Sequence, residues 1–230
     1  MIDTQRIEHE AREVQKLIWS RRHEIWPEGP PQPIRMLEPE IAAYALGIKY
    51  EFHPELILLD RRHSKYEIAG LLDRQSGKIA IAEQFSEEAI RFTGAHEIGH
   101  WVLHEDETMH RDRPVKGLDV QAWNRPVKER EADYFAACFL MPERLVVEAL
   151  ESTFLCDGQF VFDDTTAFWL NPSEPEVLLR SDSGSLDRAL ALATARSYGG
   201  RHINSLAEQF RVSATSMAIR LNELKVISDS

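Results

Sequence analysis

Two histidines four residues apart, with a glutamate after the first, constrain this chain more than anything else in it: Phe92-Thr93-Gly94-Ala95-His96-Glu97-Ile98-Gly99-His100-Trp101. On a helix His96 and His100 lie about 40° apart around the axis and one turn apart along it. Two imidazoles so placed can hold one metal ion from the same face, and Glu97 reaches a water in the open coordination position. A catalytic zinc site keeps three protein ligands and lowers the pKa of its water to about 7. A carboxylate beside it takes the proton and passes it to the leaving amine. The segment must therefore be helical, and a second element must bring a third ligand.

That ligand is sought 29 residues on from His100, in Lys128-Glu129-Arg130-Glu131-Ala132-Asp133-Tyr134-Phe135-Ala136-Ala137-Cys138-Phe139-Leu140-Met141-Pro142. The spacing predicts a helix burying Ala132, Phe135, Ala136, Phe139 and Leu140 and ending before Pro142. Glu129 continues the inward face and is read as the third ligand. Glu131 points elsewhere and is expected in solvent. Asp133, one turn after Glu129, can accept the outer N–H of a ligating histidine. His104 would lie about 12 Å along the helix from His96, too far to join the same metal, and is expected behind the ligands. His110, in the segment after the helix, could line the cleft and stabilise an oxyanion.

Around these motifs the chain predicts an α+β fold. A helix runs from about Asp3 to Ile25, a proline-rich loop follows, and a second helix covers Glu38 to Leu46, stopped by Gly47. Lys49 to Phe52 is a short strand. Ile68–Asp73 and Lys78–Ala82 flank Arg74-Gln75-Ser76-Gly77 and read as a hairpin. Ser86, with Glu87 and Glu88, starts the long helix that ends near His104. Substrate in such a site is expected as an added strand on the sheet edge, assigned here to Lys78, Ile79, Ala80, Ile81 and Ala82.

Composition narrows the class. Hydrophobic residues are 43% and charged residues 28%, as in an ordinary globular protein, and no apolar run is long enough to span a bilayer. The charged start lacks the apolar stretch of a signal peptide, and two cysteines, Cys138 and Cys156, make no disulfide framework, so a cytoplasmic setting is expected. A net charge of −11 argues against a broad nucleic-acid surface. The acids concentrate between Glu143 and Ser185, where nine acids face two bases; the last 45 residues carry six bases against four acids. A local nucleic-acid contact in the tail stays open.

With these residues in view, the chain resembles the ImmA/IrrE-type metallopeptidases, zincins whose third ligand is a glutamate. The resemblance rests on three blocks: the strand pair from Glu67 through Ile81 leading into Arg91–His104, then Glu129 through Pro142, then Leu206-Ala207-Glu208-Gln209-Phe210-Arg211-Val212-Ser213 with Met217, Arg220 and Leu221. It implies a zincin-like core in which a small sheet packs on the active-site helix, with His96, His100 and Glu129 as ligands and Glu97 as general base. The metal would be zinc, although a His, His, Glu set also suits manganese. The implied activity is endopeptidase cleavage of a partner protein, a co-encoded helix-turn-helix repressor, releasing the genes of a stress response or mobile element. In that reading residues 1–150 form the peptidase core, 151–185 an acidic insertion with possible strands, and 186–230 a helical, helix-turn-helix-like module.

As a DNA reader that module would present Ser213, Thr215, Ser216 and Arg220; otherwise it is a packing module. The aromatic set Phe154, Phe160, Phe162, Phe168 and Trp169 is expected in the core of the insertion, and Cys138 in a core. Cys156 offers a thiolate that could block the open metal position. The competing class is a non-proteolytic regulator that binds a repressor or DNA around a structural metal, in which Glu97 would have no task.

Overall fold

The computed structural model describes residues 2–59, 65–106, 109–112, 125–182 and 185–229. The chain divides into two compact units, Met1–Leu140 and Met141–Ser230. The boundary falls ten residues before the expected one at 150.

The first unit opens on helix α1 (Thr4–Ser20), capped by Asp3 and burying Ile7, Ala11, Val14 and Ile18 at helical spacing. The predicted single helix breaks at Arg21, and a short α2 (Arg22–Ile25) follows. After α3 (Pro33–Met36), α4 (Pro39–Leu46) starts with Pro39 and stops at Gly47, whose φ of 75° is the left-handed conformation glycine permits. Strand β1 is Lys49–His53, and β2 (Ile57–Leu59) pairs antiparallel with β3 (Lys65–Glu67). Strands β4 (Gly70–Asp73) and β5 (Lys78–Ala82) form the expected hairpin. Helix α5 (Glu87–Leu103), capped by Ser86, carries the two histidines; β6 (Met109–Asp112) and α6 (Val127–Leu140) complete the unit.

The main sheet has the order β1-β5-β4-β6, with β1 parallel to β5 and the other pairs antiparallel. This corrects the assignment of Lys78, Ile79, Ala80, Ile81 and Ala82 to the sheet edge. Strand β5 is paired along both sides, with Phe52 and Gly70 both opposite Ile81. The reason lies in its composition: Ile79 through Ala82 are all buried, the continuous apolar run of a central strand. Among the described residues β1 and β6 are the outer strands.

Helix α5 is buried nearly all round, every residue from Thr93 to His100 being inside. Two glycines allow it. A Cβ on Gly94 would collide with the Tyr50 hydroxyl and lie 2.9 Å from Pro39; one on Gly99 would sit 3.1 Å from the Phe135 ring and 3.2 Å from the Ala132 backbone. The inward face of α6 thus packs directly on α5. At the C-terminal end of α5, Arg74 donates to the carbonyls of His100, Trp101 and His104, placing a cation where the helix exposes its acceptors.

The second unit contains α7 (Glu143–Phe154), β7 (Phe160–Phe162), α8 (Asp164–Leu170), α9 (Pro175–Arg180), α10 (Leu186–Thr194), β8 (Ser197–Tyr198), β9 (Arg201–His202), α11 (Leu206–Phe210), α12 (Ala214–Glu223) and β10 (Ile227–Asp229). Among its described residues the 151–185 stretch contributes one three-residue strand, and its remaining elements are helical. Strand β7 pairs in parallel with β10, tying that stretch to the chain's last residues. Phe154 and Phe160 pack on Tyr198. Phe154, Phe160 and Phe162 are buried as expected, whereas Phe168 and Trp169 are exposed. No described helix is long and apolar enough to cross a membrane.

Candidate metal centre

Three elements of the first unit converge on one buried point. Helix α5 supplies His96, Glu97 and His100, each at most 1% exposed; α6 supplies Glu129 and Asp133; β6 supplies His110. His96 Nε2 and His100 Nε2 are 3.1 Å apart. Glu129 Oε2 is 3.6 Å from the first, and Oε1 is 3.5 Å from the second. Zinc bonds of about 2.05 Å in a tetrahedron set ligand atoms about 3.4 Å apart, so these separations suit one ion.

The protonation pattern supports the same reading. Carboxylates only accept hydrogen bonds, so His96 Nδ1 donates to Asp133 Oδ1 at 2.9 Å, and neutral His96 turns a lone pair on Nε2 to the site. His104 Nε2 likewise donates to Glu131 at 3.0 Å, which leaves neutral His104 Nδ1 to accept from His100 Nδ1 at 3.0 Å. His100 then also presents a lone pair on Nε2. Two lone pairs 3.1 Å apart, beside a carboxylate, repel each other unless a cation lies between them. Glu131 is thus not merely solvated as expected: it anchors this relay through His104.

Burial, then the neighbouring His96 and His110, push His100 down to about 2, keeping it neutral. Burial would raise Glu129, but the hydrogen bond from His110 and the nearby His96 imidazole outweigh that and hold it well below the usual carboxylate range. Arg125 adds a fork, donating to Asp133 Oδ2 at 2.8 Å and Glu129 Oε2 at 3.0 Å. Glu97 lies against the sheet, and a Cβ on Gly70 would come within 2.6 Å of its Oε1. Among the described residues that oxygen is buried without a hydrogen-bond partner, while Oε2 accepts from His110 Nδ1 at 3.1 Å.

His110 is therefore part of the cluster, and one ligand atom from each of His96, His100, His110 and Glu129 lies within 4.8 Å of the others. Sequence reasoning placed it beside the cleft but not among the potential ligands. The signal was weak, because Met109-His110-Arg111-Asp112 is a polar strand without β-branched residues. Arg125 was missed, although it precedes Glu129 by four residues and Asp133 by eight.

The remaining candidates lie elsewhere. The former edge residues Lys78–Ala82 form an inner strand. Cys138 is buried. Cys156, in the second unit, is directed at the Leu150 carbonyl at 3.9 Å, and burial pushes its thiol up, away from the thiolate. Arg220 is 3% exposed; it donates to the Met141 carbonyl and pairs with Glu223. A buried guanidinium so engaged does not read base edges.

An α+β unit that gathers histidines from one helix, a glutamate from the next and, between them, a buried carboxylate with one oxygen lacking a hydrogen bond among the described residues belongs to the class of candidate metal-dependent hydrolases. The comparison with known families is narrower. Residues 43–154 match the model of the IrrE N-terminal-like domain, a metallopeptidase family. The match encloses His96, Glu97, His100, His110, Arg125, Glu129 and Asp133. No curated protein matches the chain.

Proposed function

We propose that the chain is a zinc-dependent endopeptidase, with His96 Nε2, His100 Nε2 and a Glu129 oxygen as the metal ligands. The observation that carries this reading is the pair of imidazole Nε2 atoms 3.1 Å apart beside Glu129, with the buried Glu97 carboxylate next to them. When bound, the metal supplies Lewis acidity, lowering the pKa of water and polarising a peptide carbonyl. Asp133 fixes the tautomer of His96, and His104 with Glu131 fixes that of His100. Glu97 takes the proton from the attacking water on its unpartnered oxygen and gives it to the leaving amine. Gly70 allows that carboxylate to stay against the sheet, out of bulk water. With β5 interior, the strand available to align a substrate next to this cluster is β6, which pairs with β4 on one side among the described residues.

The substrate we infer, from the family resemblance, is a helix-turn-helix repressor encoded with this protein, whose cleavage inside the cell releases the genes it holds. The segment α11–Arg211-Val212-Ser213–α12 is itself helix-turn-helix-like, and the buried Arg220 favours a packing role over DNA reading. Zinc-loaded protein incubated with that repressor is expected to give two fragments, located by mass spectrometry. Glu97→Gln is expected to keep its metal and give none. Fragments persisting in Glu97→Gln would overturn the mechanism; repressor bound but uncut by the wild type would leave the non-proteolytic regulator in its place.

A further inference from the structure

We propose that His110 is a fourth protein ligand, which closes the metal's coordination shell in the resting protein and keeps the peptidase latent until an incoming group displaces it. The inference rests on the reading of His96, His100 and Glu129 as ligands and adds regulation to that site.

Four observations carry it. His110 Nε2 lies 2.7 Å from Glu129 Oε1, the same oxygen that faces His100 Nε2. Its ring stacks on that of His100, with centroids 3.6 Å apart and planes at 21°. On its other side Nδ1 donates to Glu97 Oε2, the carboxylate–imidazole arrangement that orients a metal-bound histidine. The residue is buried and held in register by β6, where it lies opposite Leu72 of β4, so it is delivered by a sheet rather than by a loose side chain. As placed, the ring donates from both nitrogens to two carboxylates. Metal entry exchanges the Nε2 proton for the metal and releases that proton to solvent, while Nδ1–H stays on Glu97.

The consequence for Glu97 is specific. With His110 in place, one of its oxygens is committed to orienting a ligand, and the fourth tetrahedral position holds imidazole instead of water. The three-ligand site with a free base exists only when His110 is displaced. A zinc site with four protein ligands is the closed, structural kind, whereas a catalytic one keeps a position open.

The test uses the full chain loaded with zinc for X-ray absorption and with cobalt(II) for visible spectra. Three imidazoles per metal are expected in the wild type and two in His110→Ala. Azide is expected to leave the wild-type cobalt spectrum unchanged up to concentrations that shift the His110→Ala spectrum fully. Metal affinity is expected to fall tenfold or more in the variant. Two imidazoles in the wild type, with azide binding equal to that of the variant, would overturn the proposal and make His110 a donor to substrate oxygen instead. The wild-type count and azide titration decide this even if His110→Ala does not fold, with His110→Asn as the second variant. Failure of the underlying reading looks different: the wild type would bind no stoichiometric metal, or Glu129→Gln would retain it.

Discussion

At the residue scale the site is an electrostatic arrangement that a cation completes. Asp133 and the His104–Glu131 pair each accept a hydrogen bond from the far side of an inferred ligand histidine, and both Nε2 lone pairs face inward as a result. Arg125 acts differently. Its two nitrogens hold Glu129, an inferred ligand, and Asp133, the orienter of another. The fork geometry of a guanidinium fits two carboxylate oxygens in a way that a flexible amide does not. Arg125→Gln is therefore expected to loosen Glu129 and His96 together and to weaken metal binding by about ten- to a hundredfold. Competition against a chromophoric chelator measures this, and an unchanged affinity would reduce Arg125 to a bystander.

At the scale of elements, what was legible follows from locality. Helices α5 and α6 were readable because Ser86, the 3.6-residue pattern and Pro142 mark them within their own segments. The β4–β5 hairpin was readable from its turn. The order of the sheet was not, because β1 reaches β5 by a parallel, non-local pairing that no turn announces. Strand β6 was hidden by its polar composition, and with it the contact of His110 with the cluster. The misplaced edge followed from taking a strand next to the active helix as outermost, although its unbroken Ile-Ala-Ile-Ala run already described a strand covered on both faces. The correction changes what a proline does there. Ile81 pairs with Phe52 on one side and Gly70 on the other, and a proline cannot donate to either ladder. Ile81→Pro is expected to unfold the first unit, seen as lost helical circular dichroism and lost metal, rather than to impair substrate binding alone. A folded, metal-replete Ile81→Pro protein would return β5 to the edge.

At the scale of the whole molecule, the boundary before Met141 gives each unit its own core, and the whole candidate metal cluster belongs to the first. The stretch 151–185 reads in the sequence as an acidic insertion. Its β7 needs the chain's last strand as a partner, and Phe160 needs Tyr198. Metal binding should then be a stability term of the first unit. An ion that binds only the folded state stabilises it by RT ln(1 + [L]/Kd), about 4 kcal/mol when free metal is a thousandfold above Kd. The sign is fixed, since removing the metal withdraws that stabilisation and leaves two imidazole lone pairs facing a carboxylate. Chelation is therefore expected to lower the unfolding midpoint of the full chain and to speed amide exchange in α5, α6 and β6, with α10 and α12 unchanged. Hydrogen exchange read by mass spectrometry before and after chelation measures both sets of peptides at once. Equal acceleration in both units would mean that the metal stabilises the chain as one cooperative body, and no change in either would remove the metal from the account of its fold.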